Sequence, residues 1–130
     1  MDFSASWKKL LEKYLEALQL LLKELKNRVK DNEGAVEDEQ YRLYWDGMPI
    51  WGRLRAHSEL FANKKACIVA STYCNSWIFS DFNASNPFKS IAKAYTELFI
   101  VRSDESKEIY LKKMFDFFKI DGIIYHDSKS

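Results

Sequence analysis

Glycine and proline are scarce in this chain: four and two among 130 residues. Such a composition is neither linker-like nor collagen-like, and it describes a folded chain. Cysteine is scarce too. Cys67 and Cys74 make no CxxC pair and have no third thiol or histidine beside them. A structural zinc, or a cluster held wholly by these residues, is therefore not expected. Two free thiols in a reducing, cytoplasmic compartment are. Neither sign of charge is in excess, with 20 lysines and arginines against 19 aspartates and glutamates. That balance argues against nucleic acid as a partner, and no block of like charge marks a tail. No apolar run reaches the ~18 residues of a membrane span, and Trp7-Lys8-Lys9 leads into a charged amphipathic pattern rather than a leader sequence.

Aromatic side chains, by contrast, are plentiful at 15%, and the length suits about one domain. Leu11, Tyr14, Leu15, Leu18, Leu21, Leu22, Leu25 and Val29 recur at helical spacing, which predicts one long helix over 4–30, capped by Ser4 or Ser6. Its leucine stripe suits packing on a domain better than a coiled-coil seam. Residues 31–40, DNEGAVEDEQ, read as an acidic linker. The organisation expected is thus an N-terminal helix and linker over 1–40 and an α/β domain over 41–130.

Within that domain, Tyr41–Trp45 reads as a strand and Asp46-Gly47-Met48 as a tight turn. Pro49 fits the first turn of a helix running to Asn63, and Ala66–Ser71 reads as a second strand. Strand, helix, strand is a βαβ unit, which makes the two strands parallel. Residues 72–88 read as a loop with a helical turn. Asn86-Pro87 opens a helix to about residue 100. Ser103-Asp104-Glu105 opens another, buried through Leu111, Met114, Phe115 and Phe118. Ile120–Tyr125 is the third strand. The fold class expected is α/β: a small parallel three-stranded sheet of Rossmann or flavodoxin-like type, in order 2-1-3, with flanking helices and the long N-terminal helix. In such sheets ligands bind beyond the carboxyl ends of the strands, where the order reverses.

That rule selects Trp45-Asp46-Gly47 and His126-Asp127. Asp46, beside a helix N-terminus, suits orienting a ligand or accepting a proton, though Asp-Gly is also a common turn pair. The turn lacks the GxGxxG and GxxxxGK[ST] patterns, so a dinucleotide or P-loop site is not expected. His126 at a strand end suits proton transfer near neutral pH, and Asp127 follows it, unless both are simply a polar end of the chain. Tyr73, Asn75 and Trp77, in the loop after the second strand, can line a pocket or merely fold onto themselves. His57 lies mid-helix and is not paired with Cys74. Asp46 and His126 are expected at one edge of the sheet, about 5–12 Å apart, given strands roughly 4.8 Å apart, and facing one cavity into which the helix at Pro49 points its N–H groups.

RLYWDGMPIWGRLRAHSELFA, VASTYCNSW and DGIIYHDSKS, in that order, resemble the 2-hydroxyacyl-CoA dehydratase and benzoyl-CoA reductase family, and most of all its benzoyl-CoA reductase B-type subunits. The resemblance covers about 41–130. It implies an oxidoreductase or dehydratase acting on an acyl-CoA. It also implies a [4Fe-4S] cluster held by cysteines from separated segments, a second homologous subunit, and an ATP-hydrolysing iron–sulfur activator that injects low-potential electrons. It places Asp46, Gly47, Pro49 and Trp51 at the acyl-CoA and cluster cavity, and His126, Asp127 and Ser128 on the segment leading to the cluster. It further implies that a ligating cysteine follows Ser130. On this reading the chain is a truncated piece that binds no cluster and is inactive alone. A stand-alone flavodoxin-like interaction or regulatory domain is the alternative.

Overall fold

The computed structural model describes residues 3–79 and 82–127. The chain divides into two units, Met1–Glu37 and Asp38–Ser130. The first is the helix α1, Phe3–Lys30. It already runs at Phe3, so Ser4 and Ser6 lie inside it rather than at its cap. Its far end is closed by Asn32 in the left-handed region (φ 55°). The Asn32 N–H bonds to the Val29 carbonyl and the Glu33 N–H to the Arg28 carbonyl. That pair of bonds is the Schellman stop, with asparagine where glycine is usual.

The second unit is built on β1 (Tyr41–Asp46), α2 (Leu54–Ala62), β2 (Ala66–Ser71), the short α3 (Thr72–Asn75), α4 (Pro87–Thr96), α5 (Asp104–Phe118) and β3 (Gly122–Tyr125). The three strands form one sheet in order β2-β1-β3, and both pairings are parallel. The most aromatic strand is therefore the central one. Tyr44 and Trp45 are buried on its two faces, and Ala66 and Ala70 of β2 and Ala94 and Leu98 of the helical layer are buried with them. Small residues on β2 leave room for the two large rings of β1. The β1–β2 register slips between Leu43 and Tyr44, where Val69 is the extra residue.

The ladder also assigns faces. Tyr44 pairs with Ile123 and Asp46 with Tyr125, while Trp45 pairs with Ile124. Side chains alternate along strands. Tyr44, Asp46, Ile123 and Tyr125 thus share the face where Tyr44 meets Phe115 of α5, ring centroids 5.2 Å apart. Trp45 and Ile124 share the other face, where Trp45 meets His57 of α2 at 5.8 Å.

Several expected boundaries move. No helix begins at Pro49: a 3-10 turn occupies Trp51–Arg53 and α2 starts at Leu54. The Pro49 and Ile50 carbonyls accept from Trp51 N–H and Arg53 N–H, so those two N–H groups are used within the turn itself. The helix at Pro87 stops at Thr96, and a separate 3-10 turn covers Phe99–Val101. The third strand begins at Gly122, because Asp121 is used otherwise. It is bonded twice to the Arg42 backbone, its N–H to the Arg42 carbonyl and its carboxylate taking the Arg42 N–H, each at 2.8 Å. No helix among the described residues is long and apolar enough to cross a membrane.

Candidate functional site

The carboxyl edge of the sheet is held by one close approach. His126 N–H donates to the Asp46 carbonyl at 2.8 Å, carrying the β1–β3 ladder one residue past β3. This draws the His126 carbonyl over Gly47. A Cβ on Gly47 would lie 2.5 Å from that oxygen, and Gly47 sits at φ +108°. Both the contact and the dihedral demand glycine.

His126 is then fixed by its ring. Nδ1 lies 2.8 Å from the Met48 carbonyl. A carbonyl only accepts, so Nδ1 carries a proton, and in the neutral form of the ring Nε2 is the free nitrogen. Trp45 Nε1–H donates to the same carbonyl at 3.2 Å, and the indole and imidazole rings stand 5.6 Å apart. His57 also meets Trp45, so both histidines of the chain contact this one indole. Extended strand, glycine turn and Met48 carbonyl together give a histidine of defined tautomer at the edge of the sheet.

Asp46 shares that edge but not that face. Its Oδ1 accepts from Thr72 Oγ1–H at 2.6 Å. Thr72 has one proton to give, so the Tyr44 hydroxyl, 2.9 Å away, donates to Thr72. The result is a directed chain from Tyr44 through Thr72 to the Asp46 carboxylate. Burial pushes the Tyr44 phenol above its ordinary pKa, and the bond to Thr72 offsets part of that rise. The expected single cavity between Asp46 and His126 is therefore corrected. Their backbones are bonded, yet the β pleat sends their side chains to opposite sides of the sheet.

Of the other expected site residues, Trp51 and Tyr73 come together, with ring centroids 5.6 Å apart and nearly perpendicular. Pro49 is half-buried in the turn before them. Asn75 is occupied structurally: its Oδ1 accepts from Ser71 N–H at 2.8 Å and its carbonyl from the Tyr110 hydroxyl at 3.3 Å. Asp127 is exposed, and Ser128 lies outside the described residues. Thr72 and the Met48 carbonyl were not among the expected residues. The alternation in YRLYWD was the available signal for Tyr44 and Asp46 sharing a face. Nothing local pointed to Met48, whose contribution is a backbone oxygen.

The thiols do not make a cluster site. Cys67 is half-buried and Cys74 exposed. Burial, reinforced by Glu39, raises the Cys67 pKa. Among the described residues no group of three or more His, Cys, Asp or Glu is placed to hold a metal ion. Two thiols in these positions do not fit a four-iron cluster, which takes three or four converging thiolates.

Comparison with known proteins agrees with the motifs. The family model described as 2-hydroxyglutaryl-CoA dehydratase, D-component, matches residues 3–130. The B-type subunit of benzoyl-CoA reductase from Thauera aromatica is 25% identical over 126 residues, covering 89% of this chain but 29% of that protein. The chain thus spans less than a third of the relative's length. No solved structure matches. With the model covering nearly every residue, the chain belongs to the 2-hydroxyglutaryl-CoA dehydratase D-component family.

Proposed function

We propose that this chain is one piece of the catalytic subunit of a benzoyl-CoA reductase or 2-hydroxyacyl-CoA dehydratase-type enzyme, acting on an acyl-CoA thioester. The observation that carries the reading is the family match over residues 3–130, supported by the similarity to the B-type subunit of benzoyl-CoA reductase. In this reading a [4Fe-4S] cluster, held by cysteines outside these 130 residues, supplies low-potential electrons delivered by an ATP-dependent iron–sulfur activator, and a second homologous subunit completes the enzyme.

The contribution of this chain is then a proton and a frame. His126 holds its Nδ1 proton on Met48 and offers Nε2 for proton transfer. Asp127 and Ser128 continue the same segment. Gly47 permits the approach that sets His126 in place. Asp46, oriented by Thr72 on the opposite face of the same sheet edge, steadies the end of β1, and the Trp51–Tyr73 pair contributes to the surrounding wall. The test is anaerobic expression of the complete reading frame with its companion subunit and activator. Consumption of benzoyl-CoA or a 2-hydroxyacyl-CoA is expected, and His126→Gln should lower kcat about 100-fold or more, the usual contribution of a general acid or base. Failure to convert any acyl-CoA, with the companion proteins active, would overturn the reading.

A further inference from the structure

Beside the carboxyl end of β2 lies a cleft of about 210 Å³, lined by Asn75, Ile78, Phe79, Phe99, Arg102 and Tyr110, with Ser76 and Glu97 completing it. Among the described residues its one cationic lining group, Arg102, is held on two sides. The Arg102 guanidinium lies over the Tyr110 ring, 4.6 Å from the centroid. Its Nε donates to the Glu97 carbonyl at 2.7 Å. Phe99 packs against the same Tyr110 ring, centroids 5.7 Å apart, and the Tyr110 hydroxyl is tied to the Asn75 carbonyl. The ring and the Glu97 carbonyl therefore fix the plane of the guanidinium, while among the described residues its two terminal nitrogens stay uncommitted.

Among the described residues the nearby carboxylates are otherwise engaged. Glu97 pairs with Lys93 at 3.6 Å and Asp104 with Lys107 at 3.3 Å. Among the described residues none forms an ion pair with Arg102. A half-buried guanidinium, stacked on an aromatic ring and pinned through Nε, presents a planar fork suited to two oxygens of one anion. Its ring-lined surroundings strengthen that attraction over what open water allows. Pockets for whole small molecules run to about 300–1,000 Å³, so this cleft has room for a group, not for an entire ligand.

We propose that this cleft binds a phosphoryl group of the coenzyme A portion of the substrate, with Arg102 as its principal ligand. The identification of the phosphoryl group as coenzyme A's rests on the acyl-CoA reading above; the anion site itself rests on the cleft. Arg102 is a binding residue here and takes no part in proton transfer.

The test has two arms. In the first, the unaltered chain, labelled with ¹⁵N, is titrated with inorganic phosphate, coenzyme A, pantetheine and acetate. Coenzyme A and phosphate are expected to shift the Arg102 Nε–H and the amides of Phe99 and Tyr110, saturably and more weakly as salt is raised. Pantetheine and acetate are expected to leave them in place. Arg102→Gln should weaken phosphate and coenzyme A binding by about 10- to 100-fold. Arg102→Lys, which keeps the charge without the fork, should fall between. Shifts by acetate equal to those by phosphate, or no shift by either phosphate or coenzyme A, overturn the site. Shifts by phosphate but not by coenzyme A overturn the coenzyme assignment. In the second arm, Arg102→Gln in the complete enzyme should raise KM for the acyl-CoA with kcat unchanged. An unchanged KM in an enzyme that still turns over rejects this cleft and leaves the proposed function standing. An enzyme that turns over no acyl-CoA rejects that function, and the phosphate titration still decides the anion site.

Discussion

At Gly47 one missing carbon governs how β1 and β3 end. A Cβ there would meet the His126 carbonyl at 2.5 Å, on a residue whose φ is already +108°. Gly47→Ala combines a left-handed dihedral with a backbone clash, and should cost about 3 kcal/mol in urea denaturation. The Trp45 fluorescence should change with it, because the indole and His126 share the Met48 carbonyl. Tyr44 makes a second prediction, with a pH dependence. Its hydroxyl is buried and bonded to Thr72, so Tyr44→Phe should cost about 1 kcal/mol at pH 7. The folded phenol titrates above its ordinary value because burial disfavours the phenolate. Its contribution is therefore fully present below about pH 10, where the unfolded phenol ionises. It is lost as pH rises through the higher folded value. Tyr110 is raised by burial as well. Chemical denaturation between pH 8 and 11 should show falling stability, and a shallower fall, not a flat line, in Tyr44→Phe. Of these residues, Asp46, Gly47 and His126 were legible in the sequence because strand ends and Asp-Gly turns announce themselves. Thr72 and Met48 were not: they act through contacts between segments far apart in the chain, or through backbone atoms that carry no residue identity.

Among the elements, the helices of the second unit differ in how well their ends are closed. Ser103 accepts a bond from Ser106 N–H at 3.4 Å, while Asn86, at the equivalent position of α4, makes no side-chain cap bond. Ser103→Ala should cost about 0.5 kcal/mol, the lower end for a cap, because the bond is long. Asn86→Ala should be near neutral. At its other end α5 closes on Lys119 at φ 51°, a conformation that costs an L-residue about 1 kcal/mol and glycine little. Lys119→Gly should therefore raise the thermal midpoint, which differential scanning calorimetry would read. The same local chemistry explains what could be read ahead of the structure. Hydrophobic periods gave α1, α5 and the three strands, βαβ logic gave the parallel β1–β2 pair, and the flavodoxin-like pattern gave the order β2-β1-β3. Pro49 misled because proline at a first helical turn is a local preference, whereas the Met48 carbonyl beside it is committed to Trp45 and His126. Those two bonds hold Met48–Ile50 out of the helix, and α2 can begin only after the 3-10 turn that follows.

Across the whole Asp38–Ser130 unit the sheet has a central strand covered on both faces and two edges. The β3 edge is the less protected. Ile123 is 56% exposed and Tyr125 70%, both on the face that carries Tyr44 and Asp46. Ile124, one residue between them, is half-buried on the Trp45 face. Exposed apolar side chains on an open strand edge are a template for pairing with another chain. Light scattering of the isolated chain should therefore show self-association that grows with concentration. A lysine placed on the exposed side of such an edge blocks pairing without entering the core. Ile123→Lys should suppress the association while moving stability by no more than about 0.5 kcal/mol. Ile124→Lys puts the same charge one residue along the strand but on the packed face, where an unpaired ammonium must be desolvated beside Trp45. It should cost about 3 kcal/mol or more and increase aggregation instead. Equal behaviour of the two variants would contradict the face assignment read from the β1–β3 register. With it would fall the separation of Asp46 from His126, since the same alternation that divides Ile123 from Ile124 sends those two side chains to opposite sides of the sheet.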